Sequence, residues 1–310
     1  MKASAVGKII LFGEHAVVYG RAALAVPVTQ VRVEVEVTTS SRPGIWIEAP
    51  DVQLNSEIKS LPSDHPLAAV IHNLLFALSV DPYPDLAIRV ISTIPVAAGL
   101  GSGAAVSVAL TRALAGALDR PLTDDQVSAY AFEIERLHHG TPSGIDNAVV
   151  TRAQPVYFVK GRPIELLRVP EPFTMVIGYT GVPAPTRESV ADVRRLWESA
   201  PAEWDVVFDG IQALANMARE AIEGGMWRHL GPLMDENHAL LQRLTVSSPE
   251  LDRLVLAARR AGALGAKLSG GGRGGNMIAL APEGGPQPIA DALNAAGAAR
   301  VIITEVRQQD

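Results

Sequence analysis

The 310-residue sequence contains no cysteine. Disulfides, thiolate metal sites and cysteine nucleophiles are thereby excluded. It carries no basic footprint for nucleic acid: net charge is −6, and its adjacent basic pairs are Arg194-Arg195 and Arg259-Arg260. No G-x-x-x-x-G-K-S/T string is present, which excludes a Walker phosphate loop. No repeat of fixed period is visible. The apolar run IILF near the N-terminus is too short for a signal-peptide core, and no cleavage site follows it. The most apolar window, 96–118, is interrupted by Arg112 and by several glycines and serines, so it reads as a buried loop plus helix rather than a membrane span. A soluble cytoplasmic protein is expected, with neither a membrane nor a nucleic acid as partner. What the chain does have is apolar residues, 48% of the total, enough for a sizeable core. Its length suits two ordinary domains.

Residues 22–38 begin apolar and then alternate. Val31, Val33, Val35 and Val37 share one face, with Arg32, Glu34 and Glu36 on the other, which predicts a half-buried strand. IWIEA at 45–49 and LAIRVIS at 86–92 read as further strands. Residues 66–79 have helical length and periodicity, with Pro66 in the first turn. A second helix runs from Ser102, as its N-cap, to about Leu118. Thr123-Asp124-Asp125-Gln126 fits a capping box and opens a third helix, to about His138. Four prolines fall in 153–172, and a division at 168 gives domains 1–168 and 169–310. The second half reads as a strand at 174–180, helices near 187–198, 203–223, 227–244 and 249–261, and strands near 276–281 and 300–306. Strands first and helices later predict an α+β fold.

Residues 95–114 read PVAAGLGSGAAVSVALTRAL, with glycines at 99, 101 and 103. A turn before a core helix is one reading. A dinucleotide fingerprint is another, since Gly99, Gly101 and Ala104 fit G-x-G-x-x-G/A with Asp119 twenty residues beyond Gly99. That acidic residue should end a second strand, however, and Asp119 follows a long helix. The third reading is a phosphate cradle of another kind. Glycines let backbone approach a ligand, and a helix opening at Ser102 presents free N–H groups and the positive end of its dipole. The loop alone does not name the anion.

Three further stretches carry chemistry. GKIILFGEHAVVYG at 7–20 sets Lys8, Glu14 and His15 around a short apolar strand. EIERLHHGTPSGIDNAVV at 133–150 joins a helix end to a loop. Glu133 and Glu135 flank the apolar stripe of that helix, and spacing does not choose between them. Asp146 lies in Gly-Ile-Asp-Asn, where a lone Asp usually forms a turn or cap. GALGAKLSGGGRGGNMIAL at 262–280 is a second glycine-rich loop before an apolar strand. Five glycines in 270–275 are costly in chain entropy and point to close backbone packing.

In this order, GKIILFGEHAVVYG, PVAAGLGSGAAVSVA and GAKLSGGGRGGNMIAL resemble the three motifs of the GHMP kinases, across nearly the whole chain. GEHAVVYG, HGTPSGIDNAVV and the segment VPAPTRESV at 182–190 resemble the mevalonate kinases of that superfamily. The resemblance implies an N-terminal domain like ribosomal protein S5 domain 2 and a ferredoxin-like C-terminal domain. It implies ATP and Mg²⁺ as cofactors, transfer of phosphate to the 5-hydroxyl of mevalonate, and a homodimer. By position, Asp146 would be the catalytic base and Lys8 the lysine paired with it. The nucleotide would lie on Pro95, Ala97, Ala98, Gly99, Leu100, Gly101, Ser102, Gly103 and Ala104. Glu135 and Ser102 would hold the metal, and Glu14, His15, Thr186 and Gly271 the acceptor.

Three positions depart from the family pattern. The usual Ala-Pro-Gly-Lys is Ala5-Val6-Gly7-Lys8, the last serine of Gly-Leu-Gly-Ser-Ser is Gly103, and Arg273 interrupts the glycines of the third motif. Arg273 is either a solvated loop charge or a cation near the nucleotide phosphates. A kinase for another small hydroxylated acid or a sugar, and a non-catalytic ligand sensor on a kinase fold, remain the alternatives.

Overall fold

In the computed structural model Lys2–Phe12 forms a first strand, β1, and Ala23–Thr39 a second, β2. The structure describes residues 1–62, 64–95, 98–139 and 144–308, and the side chains of 137–139 are not described. Ala97 and residues 140–143 of the HGTPSGIDN stretch therefore lie outside the described residues. β2 follows its sequence pattern: the first six residues are all buried, and from Val31 burial alternates. The strands and helices that come next are β3 (Ile45–Ala49), β4 (Leu54–Glu57), α1 (Pro66–Ala77), β5 (Leu86–Ser92), α2 (Ser102–Ala117), α3 (Asp124–His139) and α4 (Ile145–Arg152). After them come β6 (Val156–Phe158), β7 (Glu165–Leu166), β8 (Phe173–Tyr179), α5 (Thr186–Ser199), α6 (Pro201–Glu223), α7 (Leu230–Arg243) and α8 (Pro249–Arg260). The chain closes with β9 (Gly265–Ser269), β10 (Asn276–Leu280), α9 (Gln287–Ala295) and β11 (Arg300–Val306).

The chain forms two compact units, and they do not follow a single cut near 168. One comprises Met1–Gly7, Val31–Pro95 and Gly101–Ala153; the other comprises Lys8–Gln30, a short piece ending at Leu100, and the chain from Gln154 onward. In the first unit the strands run β4-β3-β5-β2, with β3 and β5 parallel and the other pairs antiparallel. The helix α2 buries ten of its sixteen residues, which marks a central core helix rather than an amphipathic surface one. Thr123 caps α3, as its capping box predicts: the Gln126 amide donates to the Thr123 hydroxyl, and the Gln126 side chain accepts from the Thr123 amide at 2.9 Å.

In the second unit an antiparallel sheet has the order β11-β8-β10-β9. Its core joins Val176, Met277 and Leu268 from the sheet to Phe208, Ile211, Leu241 and Leu254 from the helices, all fully buried. The α+β class is what the structure shows. Three local expectations are corrected. Ser102 is the first helical residue of α2, not its cap: Gly101 caps it with φ 73°, and no side chain contributes. That conformation favours glycine, so the turn is set one residue earlier than a serine cap would set it. Asp146 sits in the first turn of α4 rather than in a loop. Residues 265–269 are a fully buried strand rather than part of a glycine-rich loop.

Candidate active site

The second unit gathers the expected acceptor residues around a tight turn. After β1 the chain bends at Gly13 (φ 98°) and then at His15, whose φ of 62° and ψ of −48° lie far from the ordinary regions. The Ala16 amide donates to the Glu14 carbonyl at 2.7 Å, closing a γ-turn of the rare, strained hand centred on His15. Such a residue persists only where its surroundings over-determine it. Here they do. His15 Nε2 lies 3.1 Å from the Gly271 carbonyl. Glu14, 1% exposed, forms an ion pair with Lys267, which is 0% exposed at the middle of β9.

The chemistry of this turn follows from its partners. A carbonyl oxygen only accepts, so Nε2 carries the ring proton and Nδ1 carries a lone pair. Burial, the largest influence, pushes the His15 pKa down to about 4; the Gly271 hydrogen bond opposes it, and the Arg273 charge adds to it. The ring is therefore neutral near pH 7. Its Nδ1 is buried without a partner, and so is Glu14 Oε2. Buried polar atoms are rarely left unpaired. Two adjacent unpaired acceptors ask for a ligand that donates, such as a hydroxyl. Thr186, the first residue of α5, borders the same place: a Cβ on Gly271 would come within 2.8 Å of the Thr186 hydroxyl.

The glycine-rich segment 270–275 packs on its own chain. A Cβ at Gly272, where φ is 75°, would fall 1.9 Å from the Val246 carbonyl oxygen. Arg273 stands where a side chain has room. Its guanidinium pairs with Asp192 of α5 and donates to the Thr245 carbonyl at 3.2 Å. Hydrogen bonding from Arg273, the leading cause, holds the Asp192 carboxyl below its usual range. These contacts tie the segment to α5 and to the α7–α8 connection, so Arg273 is a paired charge rather than a solvated one. Also in this unit, the Lys8 amide donates to the Leu100 carbonyl at 2.9 Å, and the Asn276 side chain donates to the Ala98 carbonyl. Gly99 between these points has φ 78°. The Lys8 side chain is buried, at 5% exposure.

The first unit supplies the helix start and two carboxylates. The first intrahelical bond of α2 runs from the Ala105 amide to the Gly101 carbonyl at 2.9 Å. The amides of Ser102, Gly103 and Ala104 precede it, so they make no such bond and are available to an anion. A Cβ at Gly103 would meet nothing within 4 Å, so that face is open. Glu135 lies on α3, half-buried, and Asp146 on the first turn of α4, half-buried. The next residue, Asn147, donates to the Ser128 hydroxyl at 2.8 Å and to the Ser128 carbonyl at 3.2 Å, which fixes α4 against α3. Lys267 and Asn276 escaped sequence reasoning. A lysine inside an apolar run was the available signal for the first; nothing local marked the second.

Family models match twice: "GHMP kinases N terminal domain" over residues 67–153, and "GHMP kinases C terminal" over 218–299. A mevalonate kinase of Pyrococcus abyssi is 38% identical, covering 97% of this chain and 94% of its own. One of Pyrococcus horikoshii is 36% identical, covering 99% and 96%. A crystal structure of L. major mevalonate kinase in complex with R-mevalonate superposes with a TM-score of 0.87 at 30% identity, over 100% of this chain and 96% of that one. Among the described residues no helix is long and apolar enough to cross a membrane. With two family models in the expected order and relatives matched along almost their whole length, the chain belongs to the GHMP kinases, a family of ATP-using enzymes.

Proposed function

We propose that the protein transfers the γ-phosphoryl group of ATP to the 5-hydroxyl of mevalonate. The observation that carries this reading is the pair of buried, unpartnered acceptors on consecutive residues, Glu14 Oε2 and His15 Nδ1, in a turn held by Gly271, which Thr186 also borders. They suit a small hydroxylated acceptor, and the similar L. major enzyme holds R-mevalonate. Phosphoryl transfer needs mainly positioning and charge neutralisation. The amides of Ser102, Gly103 and Ala104 hold phosphate oxygens at the α2 start. Asp146 accepts the hydroxyl proton as the oxygen attacks. Lys8 supplies positive charge for the alkoxide that develops on the acceptor oxygen.

Among the described residues no group of three or more His, Asp or Glu side chains could hold a metal by itself. One carboxylate, Glu135, and one hydroxyl, Ser102, are the donor set expected for Mg²⁺, which completes its shell with phosphates and water. When bound, Mg²⁺ neutralises charge on the β- and γ-phosphates. The correction at Ser102 changes what its removal does. Since its hydroxyl does not cap α2, Ser102→Ala leaves stability within about 0.5 kcal/mol, and the magnesium concentration for half-maximal rate rises several-fold. A clear loss of thermal stability with an unchanged magnesium requirement would reverse this assignment.

A coupled ADP-release assay with mevalonate, phosphomevalonate, galactose and homoserine tests the proposal. Mevalonate is expected to give Mg²⁺-dependent turnover. Turnover with another acceptor and none with mevalonate would falsify the substrate assignment. Silence with every acceptor, alongside ATP binding, would favour a ligand sensor.

A further inference from the structure

We propose that Lys267 is a positioning residue for the acceptor: through Glu14 it locks the γ-turn that presents His15, without itself touching nucleotide or substrate. The proposal rests on the acceptor reading above. Buried ion pairs are weak stabilisers, because desolvation offsets most of their attraction. Lys267 shows that cost, since burial lowers its pKa even though Glu14 opposes the shift. A pair of this kind needs a reason beyond stability, and the geometry supplies one.

Glu14 Oε1 is committed to Lys267, so the carboxylate cannot rotate, and Oε2 is left facing a buried place without a partner. The next residue is the strained centre of the turn. Its ring is held by Gly271, four residues after Lys267 on the same segment. One stretch of chain thus restrains two consecutive side chains, at their ends rather than at their backbones. Two more contacts fix the lysine side. Its ammonium lies 5.8 Å from the Phe12 ring centroid, over its face. The adjoining Ser269 hydroxyl donates to the Ile10 carbonyl at 2.7 Å, pinning β9 to β1 just before the turn. Release of Lys267 would let Glu14 swing and the γ-turn relax to an ordinary conformation, moving His15 Nδ1 away from the acceptor.

The test uses the full-length protein and three variants: Lys267→Met, Glu14→Gln and the double variant Glu14→Gln/Lys267→Met. The double variant removes both charges at nearly constant shape, so its melting temperature should lie near that of the wild type, as for other neutralised buried pairs. Its KM for mevalonate is expected to rise between tenfold and about 100-fold, the scale of a displacement near 1 Å. Its KM for ATP should stay within about twofold, the mark of a change confined to one substrate. If Lys267→Met fails to fold, Glu14→Gln and the double variant carry the same comparison. A double variant with wild-type KM for mevalonate overturns the proposal and makes the pair purely structural. A parallel rise in both KM values overturns it as well.

Failure of the substrate assignment shows in the wild type instead; the KM comparison is then made with whichever acceptor is used. A readout independent of turnover is the NMR titration of the His15 ring. It should titrate at about 4 in the wild type and move toward the ordinary histidine value in the double variant. An unmoved titration there also overturns the proposal.

Discussion

Asp146→Asn should lower kcat by roughly 10²–10⁴-fold, the usual worth of a positioned general base. The substitution keeps the shape of the side chain and removes the acceptor for the hydroxyl proton. The KM for ATP should change little, because the phosphates are held at the α2 start and not by α4. Removal of a negative charge from the first turn of α4 costs only about 0.3–1 kcal/mol of stability. The Asn147 clamp on Ser128 keeps α4 in place in the variant. Rate and stability therefore separate: a large fall in kcat accompanies a melting temperature near the wild-type value. If kcat instead remains close to wild type, Asp146 serves only as a helix-end charge and the base must be sought elsewhere.

Stability should fall steeply with mild acid. Burial is the largest influence on two histidines, His15 and His238, and pushes each pKa down to about 4. His238 Nε2 also lies 3.1 Å from Asp252, and its Nδ1 accepts from the Leu268 amide at 3.3 Å, so its lone pair is in use. In the unfolded chain both rings take up protons near pH 6.5. Between that pH and about 4 the unfolded state binds more protons than the folded one, so stability is complete above 6.5 and declines as pH falls. For the two sites together the loss between pH 7 and pH 5 comes to about 3–4 kcal/mol. Urea unfolding at the two pH values measures it. A midpoint that does not move would show that both rings take up protons in the folded protein.

Much of the fold was legible because the decisive signals are local. The valine alternation at 31–37 reappears as alternating burial in β2. The strand at 300–306 is β11 to the residue, and α5 to α8 fall within a few residues of their expected limits. The capping box at Thr123 works as read. What escaped depends on distant chain. GAKLS was absorbed into a glycine-rich loop because a lysine argues against a buried strand; it is buried only because Glu14, 253 residues away, supplies the counter-charge. Helix α4 was masked by the Gly, Pro and Ser residues before it, and its place is set by a side-chain clamp to α3. Helix α9 is short and lies between Gly- and Pro-rich stretches, where local signals favour a turn. Ser102 looked like a cap by residue type, but the positive φ at Gly101 claims that position. At the acceptor turn the sequence singled out Glu14 and His15, and the two atoms that want a partner were visible only once Lys267 and Gly271 had been placed.

The span between Glu14 and Lys267 also bears on how the chain is made. At roughly 5–20 residues per second, about ten to fifty seconds of synthesis separate the two residues. Throughout that time Glu14 has no lysine to meet, and His15 has no Gly271 carbonyl to hold its ring. The strand that leads into the turn can pair with β2 early, since the two are neighbours in sequence, but the turn itself waits for one of the longest-range contacts in the chain. Contacts of such separation slow folding, because chain closure must come before they give any return. A ribosome-arrested chain ending before β9 would therefore leave His15 open to solvent and to histidine-modifying reagents. A chain released after β9 would shield it. The acceptor side of the protein is begun when Glu14 and His15 are translated and finished only when Lys267 and Gly271 follow.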